Sequence, residues 1–209
     1  MRERFSVRGF DGYHPHEVLE QLLFECIPRV NTNETAHLLL NEFGSLENIL
    51  RASPKDLEKV HGIGKVAAEY IASRLNAVEV LILSQYVGLK NLSEYQIAFL
   101  VDWFMRPEPK NNFGVIVCGK EGEFRKFGFV FDENDKMLDD MYAPNIVGEI
   151  ADRISEMVGE GTYYLIMNNI VLERADLYRL LDETRSRNAV MLNAYKMVGK
   201  KPESVIYPN

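Results

Sequence analysis

The sequence has few cysteines and no long uncharged apolar run. Cys26 and Cys118 are its only two cysteines, lie far apart and form no Cys-x-x-Cys pair, which excludes a disulfide framework and favours two reduced core thiols. The first residues, MRERFSVRGFDGYHPH, contain no apolar signal sequence, and no uncharged run approaches the roughly 18 residues of a membrane helix. We therefore expect a cytoplasmic protein that crosses no membrane.

An excess of basic residues is also missing. The chain has 24 Lys and Arg against 31 Asp and Glu, a formal net charge of −7, and neither half is basic. Proteins that bind DNA through many phosphate contacts need a basic surface. The composition therefore argues against strong non-specific DNA binding and leaves room for a weak, local contact.

Histidine is absent from the second half, so that half cannot offer an imidazole to a metal. All four histidines are in the first half: His14, His16, His37 and His61. The first two flank a proline and could share a metal ion, but the sequence shows no third ligand at a convincing spacing. A proline at a helix start explains their order equally well.

Helical periodicity and helix-boundary signals run through the first half. PHEVLEQLLFECI places Val18, Leu22 and Ile27 near one face of a helix. NTNETAHLLLNEF begins with Asn31 and Glu34 at the spacing of a capping box. These patterns predict two successive amphipathic helices.

Two further helices follow in the first half. Ser53, Pro54 and Asp56 predict an N-cap, a proline at the first helical position and an acid in the first turn. After two glycines, one long amphipathic helix is indicated by apolar residues at a spacing of 3.6: Ala67, Ile71, Leu75, Val78 and Ile82.

The second half mixes strands and helices. A helix capped at Ser93 and a proline-containing linker at Pro107 and Pro109 lead to FGVIVCGKEGEFRKFGFVF, which predicts two strands around a turn at Gly119 to Gly122. The acidic loop DENDKMLDD lacks the ligand spacing of a calcium loop. Next come a helix at 145–159, a strand TYYLIMN, a helix at 172–188, and terminal strands AVMLNAYKMV and SVIYP.

This change of pattern predicts an α+β protein of two domains. We expect an all-helical domain at 1–88, a connecting helix and proline-containing linker at 89–112, and a mixed α/β domain at 113–209. Each flanking half should fold when expressed alone.

The segment LEKVHGIGKVAAEYI, residues 57–71, has the layout of a helix-hairpin-helix. Its glycines would each cost roughly 1 kcal/mol inside a helix, so they mark a turn between two helices. Amides at the start of the second helix favour a phosphate oxygen. The predicted DNA-binding residues are Gly62, Ile63, Gly64, Lys65 and Val66. The alternative is a compact helix connection without a ligand.

Residues 14–83 resemble the N-terminal domain of the RadC family of DNA repair proteins. HEVLEQLLF, TAHLLLNEFGSLENILRAS and LEKVHGIGKVAAEYIAS occur in the order and spacing of that family. The second half resembles the family's C-terminal JAB/MPN-like, cytidine-deaminase-like domain less closely. The resemblance implies zinc held by a glutamate, a His-x-His-Pro-Ser-Gly segment and an aspartate, with the glutamate and serine supporting hydrolysis.

This sequence departs from that implied zinc site. Asn112 stands in the segment that replaces the glutamate, Met167 and Asn169 replace the two histidines, and only Asp176 matches, at the aspartate. The family's late Asp-His dipeptide is matched by Asn193-Ala194. We therefore expect no catalytic residues, no metal and no cofactor.

Three hypotheses remain open. The first is a non-enzymatic DNA-associated protein whose metal-free JAB/MPN-like domain is an interaction module. The second is a metal-dependent hydrolase with an unrecognised ligand set. The third is a protein–protein adaptor whose hairpin is purely structural. The sequence leaves the oligomeric state and any protein partner undetermined.

Overall fold

The computed structural model describes residues 2–27, 30–105, 112–131, 145–198 and 201–205. Its contacts divide the chain into two compact units, Met1–Ile82 and Leu83–Asn209. The domain bounds expected from the sequence stay a prediction. None of the helices in the described ranges has the length and apolarity that a membrane crossing requires.

The first unit is built from helices. They are α1 (Arg2–Arg8), α2 (Pro15–Cys26), α3 (Asn33–Phe43), α4 (Leu46–Arg51), α5 (Pro54–Leu57) and α6 (Lys65–Ser84), which continues two residues past the division. Their core includes Leu19, Leu39, Ile49, Leu57 and Ile71, each with no exposed surface. The expected cap of α5 is confirmed, because the Ser53 hydroxyl accepts the Asp56 amide at 3.2 Å.

Three details of these helices differ from expectation. On α2 the structure buries Leu19 and Leu23 rather than Val18 and Leu22, because apolar residues occupy two adjacent rows and periodicity does not choose between them. The N-cap of α3 is Thr32, and the Asn31 side chain accepts only the Asn33 amide, so the expected capping box was wrong.

The third difference lies in the last turns of α6. There Leu75 and Ile82 are only partly buried, and Val78 is 43% exposed. Full burial is confined to the first two turns, at Ala67, Ala68 and Ile71. The apolar period therefore predicted the helix correctly but overestimated how far it is buried.

The second unit holds one mixed sheet. Its elements are α7 (Glu94–Met105), β1 (Asn112–Cys118), β2 (Phe124–Phe129), α8 (Ile146–Val158), β3 (Gly161–Asn168), α9 (Arg174–Ser186), β4 (Ala189–Val198) and β5 (Lys201–Ser204). The strand order is β2-β1-β3-β4-β5. β3 and β4 are parallel and joined through α9, and the other neighbours are antiparallel.

Alternating side chains of β1 and β3 cover the two faces of the sheet. One face packs against α8 and α9 and contributes Val115, Val117 and Leu165. The opposite face packs against α7 and contributes Ile116 and Ile166. The helix that the sequence assigns to the connecting segment is therefore part of the core of this unit.

The loop before α7 is also attached to the sheet. The Gly88 amide donates to the Phe124 carbonyl at 2.9 Å, and the Phe124 amide donates to the Leu89 carbonyl at 2.7 Å. Lys90 and Glu123 form an isolated antiparallel bridge. These contacts hold the loop against the turn between β1 and β2.

Most strands and helices of the second unit agree with expectation. α8 ends at Val158 with Gly159 as its C-cap, as the glycine predicts. β5 is Lys201–Ser204, so a strand lies before the predicted strand SVIYP and shares only Ser204 with it. Residues 206–208 of the predicted strand lie outside the described ranges. The proline linker at 106–111 and the acidic loop at 132–140 also lie outside them.

Candidate functional site

The turn between α5 and α6 is a tight hairpin anchored by an isoleucine. The Ile63 side chain is 6% exposed and belongs to the helical core. Its amide donates to the Val60 carbonyl at 3.0 Å. Gly62 has a φ of 90°, in the left-handed region that glycine adopts most easily. The Ile63 side chain therefore packs into the helical core and holds the turn, and the predicted DNA-binding role of this residue stays a prediction.

The start of α6 leaves backbone donors open. The Ala68 amide donates a helical hydrogen bond to the Gly64 carbonyl at 3.0 Å. Within the described ranges, the amides of Gly64, Lys65 and Val66 donate to no other protein group. The first turn also contains no acidic residue. Open amides and the positive end of the helix dipole together favour an anion.

The space in front of these amides is open. A Cβ placed on Gly64 would meet no atom within 4 Å, so the glycine is not required for packing inside the protein. Val66 is 71% exposed, and the surfaces of His61 and Lys65 are also exposed. A ligand can therefore approach the backbone at Gly64 directly.

Lys65 carries one of the open amides, and its ammonium forms only a weak ion pair within the protein. Its ammonium lies 3.8 Å from the Glu69 carboxylate, one turn along α6, and both side chains are largely exposed. Exposed pairs of this kind contribute roughly 0–1 kcal/mol. The lysine therefore remains available to a phosphate group.

Sequence reasoning missed Thr35, which α3 brings to the same turn. A Cβ placed on Gly62 would lie 2.9 Å from the Thr35 hydroxyl oxygen and 3.4 Å from its methyl carbon. The threonine therefore lies directly against the backbone of the turn. Its position, 27 residues earlier in the chain, gives no local pattern that could have revealed it.

The histidines of the first unit form a stack. The rings of His14 and His16 lie 5.8 Å apart, and the structure adds His37, whose ring is 4.8 Å from that of His16. No pattern in the sequence indicates this third ring. Across the described ranges, no group of three His, Cys, Asp or Glu side chains is arranged to hold a metal ion.

Asn112 stands at the place of the implied glutamate, and its side chain forms hydrogen bonds with backbone groups. It is 3% exposed, and its amide nitrogen donates to the Phe131 carbonyl at 3.0 Å. Its oxygen accepts the Phe113 amide at 2.8 Å and the Phe131 amide at 3.4 Å. The side chain therefore ties the start of β1 to the chain that follows β2.

The residues at the two positions of the implied histidines are also not arranged as metal ligands. Met167 is 1% exposed, belongs to the core, and its sulfur accepts the Leu172 amide at 3.5 Å. Asn169 is exposed beyond the end of β3, with a φ of 56°. Met167 thus packs in the core and Asn169 lies in an exposed bend, so the structure does not bring these two side chains together as metal ligands.

The remaining positions of the implied site are structural or isolated. Asn193 accepts the Ser204 hydroxyl at 3.0 Å, which ties β4 to β5, and Ala194 is fully buried. Asp176 lies in the first turn of α9, where an acid is favoured by the helix dipole. Zinc sites use imidazole, thiolate or carboxylate donors, so a thioether and neutral side-chain amides do not fit a zinc ion.

Both cysteines are free thiols with raised pKa values. Burial raises the pKa of Cys118 to about 11, and the Glu123 carboxylate adds to the effect. Burial also raises the pKa of Cys26, which is partly buried. Because the thiolate is the reactive form, neither environment activates a nucleophile.

Residues 24–80 match a family model described as a helix-hairpin-helix motif. That range contains α3 to α5, the turn and most of α6. The match agrees with the assignment made from the glycine pattern, and it supports nucleic-acid binding by this part of the chain.

Curated relatives are UPF0758 proteins. The chain is 42% identical to one from Fusobacterium nucleatum over 71 residues, which cover 34% of this chain and 31% of the relative. It is 31% identical to one from Rhodobacter capsulatus over 124 residues, which cover 58% and 57%. A third, from Ruegeria pomeroyi, is 38% identical over 65 residues, which cover 31% and 29%.

The Rhodobacter match is longer than the first unit and therefore includes part of the second. The chain spans between about a third and just over half of the length of these relatives. This chain is thus similar to UPF0758 proteins and contains a helix-hairpin-helix motif.

Proposed function

We propose that this chain is a RadC-like, DNA-associated protein that contacts the DNA backbone through the turn before α6. The single observation that supports this most strongly is the set of open amides at Gly64, Lys65 and Val66, inside the range of the helix-hairpin-helix match. Phosphate oxygens are acceptors that suit these donors. The proposed contact recognises the DNA backbone and not the base sequence, because it includes no group that contacts a base.

The binding should be weak and only shallowly dependent on salt. Lys65 lies at the open amides, and Lys59, earlier in the turn, is paired with Asp56 at 2.7 Å. The slope of affinity against salt concentration scales with the number of phosphates neutralised, so few cations give a shallow slope. The net charge of −7 adds a general repulsion. A few local hydrogen bonds, and not a basic surface, would therefore provide the affinity.

Fluorescence anisotropy with labelled branched and single-stranded DNA tests this proposal. In the double variant Gly64→Val/Lys65→Glu, a branched side chain blocks the amides and a negative charge faces the phosphate. Because the space at position 64 is open, the variant should fold normally. Binding should fall at least tenfold, on the order of a lost charge-assisted hydrogen bond.

The matched control is Lys126→Glu, which makes the same charge change on an exposed residue of β2. It should bind DNA nearly as the wild type does. Equal binding by the wild type and the double variant would place the contact elsewhere, and absence of binding by the wild type would favour the adaptor hypothesis.

For the second unit we propose a JAB/MPN-like domain that is not an enzyme and serves as an interaction module for a protein partner. The support is its mixed five-stranded sheet with helices on both faces, together with the structural use of Asn112 and Met167. Purified protein should contain far less than one equivalent of zinc by elemental analysis. Stoichiometric zinc that survives dialysis and is lost in Asp176→Ala would contradict this proposal.

A further inference from the structure

The Thr35 side chain stands at the hairpin with its hydroxyl uncommitted. It belongs to the first turn of α3 and is only partly buried. Within the described part of the chain, no hydrogen bond joins its hydroxyl to another protein group. A threonine early in a helix commonly bonds to its own backbone. Here the hydroxyl remains free on the side of the turn.

The position of this hydroxyl relative to the turn is well defined. Its oxygen occupies the space that a side chain on Gly62 would need, 2.9 Å from that Cβ position. Only Ile63 separates Gly62 from Gly64, whose amide is the first of the open donors. A hydroxyl donor from α3 and amide donors from α6 therefore flank the same short turn.

We propose that Thr35 is a further DNA-binding residue, whose hydroxyl donates a hydrogen bond to a phosphate oxygen held at the turn. The inference rests on the proposed function of the hairpin. It adds a donor from a second helix and explains why the turn packs against a threonine rather than against an apolar side chain of the same shape. The neighbouring Glu34 carboxylate is exposed in the same first turn of α3, so the contact should stay modest.

A neutral hydroxyl and a lysine affect binding differently. The lysine releases a counterion when it meets a phosphate, so its removal lowers the slope of log affinity against log salt by roughly one. The hydroxyl carries no charge, so its removal weakens binding at every salt concentration and leaves that slope unchanged. This difference separates the two residues at one site.

The experiment uses the full chain and the same labelled DNA at several salt concentrations. Thr35→Val keeps the shape without the hydroxyl and should weaken binding about tenfold with an unchanged salt slope. Thr35→Ser keeps the hydroxyl and should bind within about twofold of the wild type on the same scale. Lys65→Gln should reduce the slope. Ser73→Ala, which removes an exposed hydroxyl further along α6, should change nothing.

Thermal unfolding of each variant accompanies the titrations, and Thr35→Ala replaces the valine variant if that protein does not fold. Wild-type affinity in a folded Thr35→Val or Thr35→Ala protein overturns the role of Thr35, while a loss in Lys65→Gln still supports the hairpin. A serine variant as weak as the valine variant also overturns it. If the wild type itself binds no DNA, the proposed function and this inference fail together.

Discussion

The turn before α6 and the end of β3 with its neighbour β1 differ in how their polar groups are used. At the turn, the amides of Gly64, Lys65 and Val66 have no partner among the described residues. At the sheet end, both amide atoms of Asn112 and the sulfur of Met167 are bonded to the backbone. Backbone groups without internal partners are available to a ligand, whereas satisfied groups stabilise the fold.

Substitutions in the two regions should therefore change different measured quantities. Substitutions at the sheet end should lower the free energy of unfolding, and substitutions at the open part of the turn should change only DNA affinity. The predictions that follow run from the largest expected effect on folding to the smallest.

Removal of α7 should have the largest effect. A fragment 113–209 lacks Asn112 and the four buried side chains of α7: Ile97, Leu100, Val101 and Met105. Each contributes about 1.5–3 kcal/mol when buried, so their loss is comparable to the whole stability of a domain. We expect this fragment to be unfolded or aggregated by circular dichroism, whereas a fragment 83–209 should unfold cooperatively in urea.

A fragment 90–209 should be intermediate in stability between the fragments 113–209 and 83–209. It retains α7 but loses the bonds that Gly88 and Leu89 make with Phe124. If the fragments 113–209 and 83–209 unfolded at the same urea midpoint, α7 would be a connecting helix and not part of the core of the second unit.

Asn112→Ala should lower the free energy of unfolding by about 2 kcal/mol, because it leaves the buried backbone groups of Phe131 without partners. Urea denaturation measures the loss. Asn76→Ala, on the exposed surface of α6, is the control and should change stability by less than about 0.5 kcal/mol. A loss at position 112 no larger than that of the control would show that the site position is not structural.

The two glycines of the turn should respond differently to alanine. Gly62→Ala should cost about 1–2 kcal/mol, because its φ is 90° and the new Cβ would meet Thr35. Gly64→Ala should cost less than about 0.5 kcal/mol, since that Cβ meets nothing. Thermal unfolding compares the two, and equal losses would mean that the turn is uniformly constrained.

Local patterns predicted the parts of the fold that local chemistry decides. The Ser53 cap, the glycine that ends α8 and the glycine turn before α6 each depend on residues within four positions of one another. The sequence also predicted the helix-hairpin-helix, and the family match over residues 24–80 agrees with it, whereas the DNA-binding role of its residues stays a prediction.

Contacts distant in sequence decide the rest. Thr35 reaches the turn from α3, and Asn112 is bonded to Phe131, so neither role follows from a nearby pattern. The buried row of α2 depends on which helices pack against it. β5 contains Pro202 between charged residues and is defined only by its pairing with β4.

Each unit contains one free thiol, and the two thiols differ in burial. Cys26 belongs to the first unit and Cys118 to the second, and thiol reagents react with the thiolate that burial disfavours. Modification of Cys118 at neutral pH must therefore wait for the sheet to open, so its rate counts opening events of the second unit alone. Alkylation followed by mass spectrometry would compare the buried Cys118 with the partly buried Cys26 in one sample, without any added label.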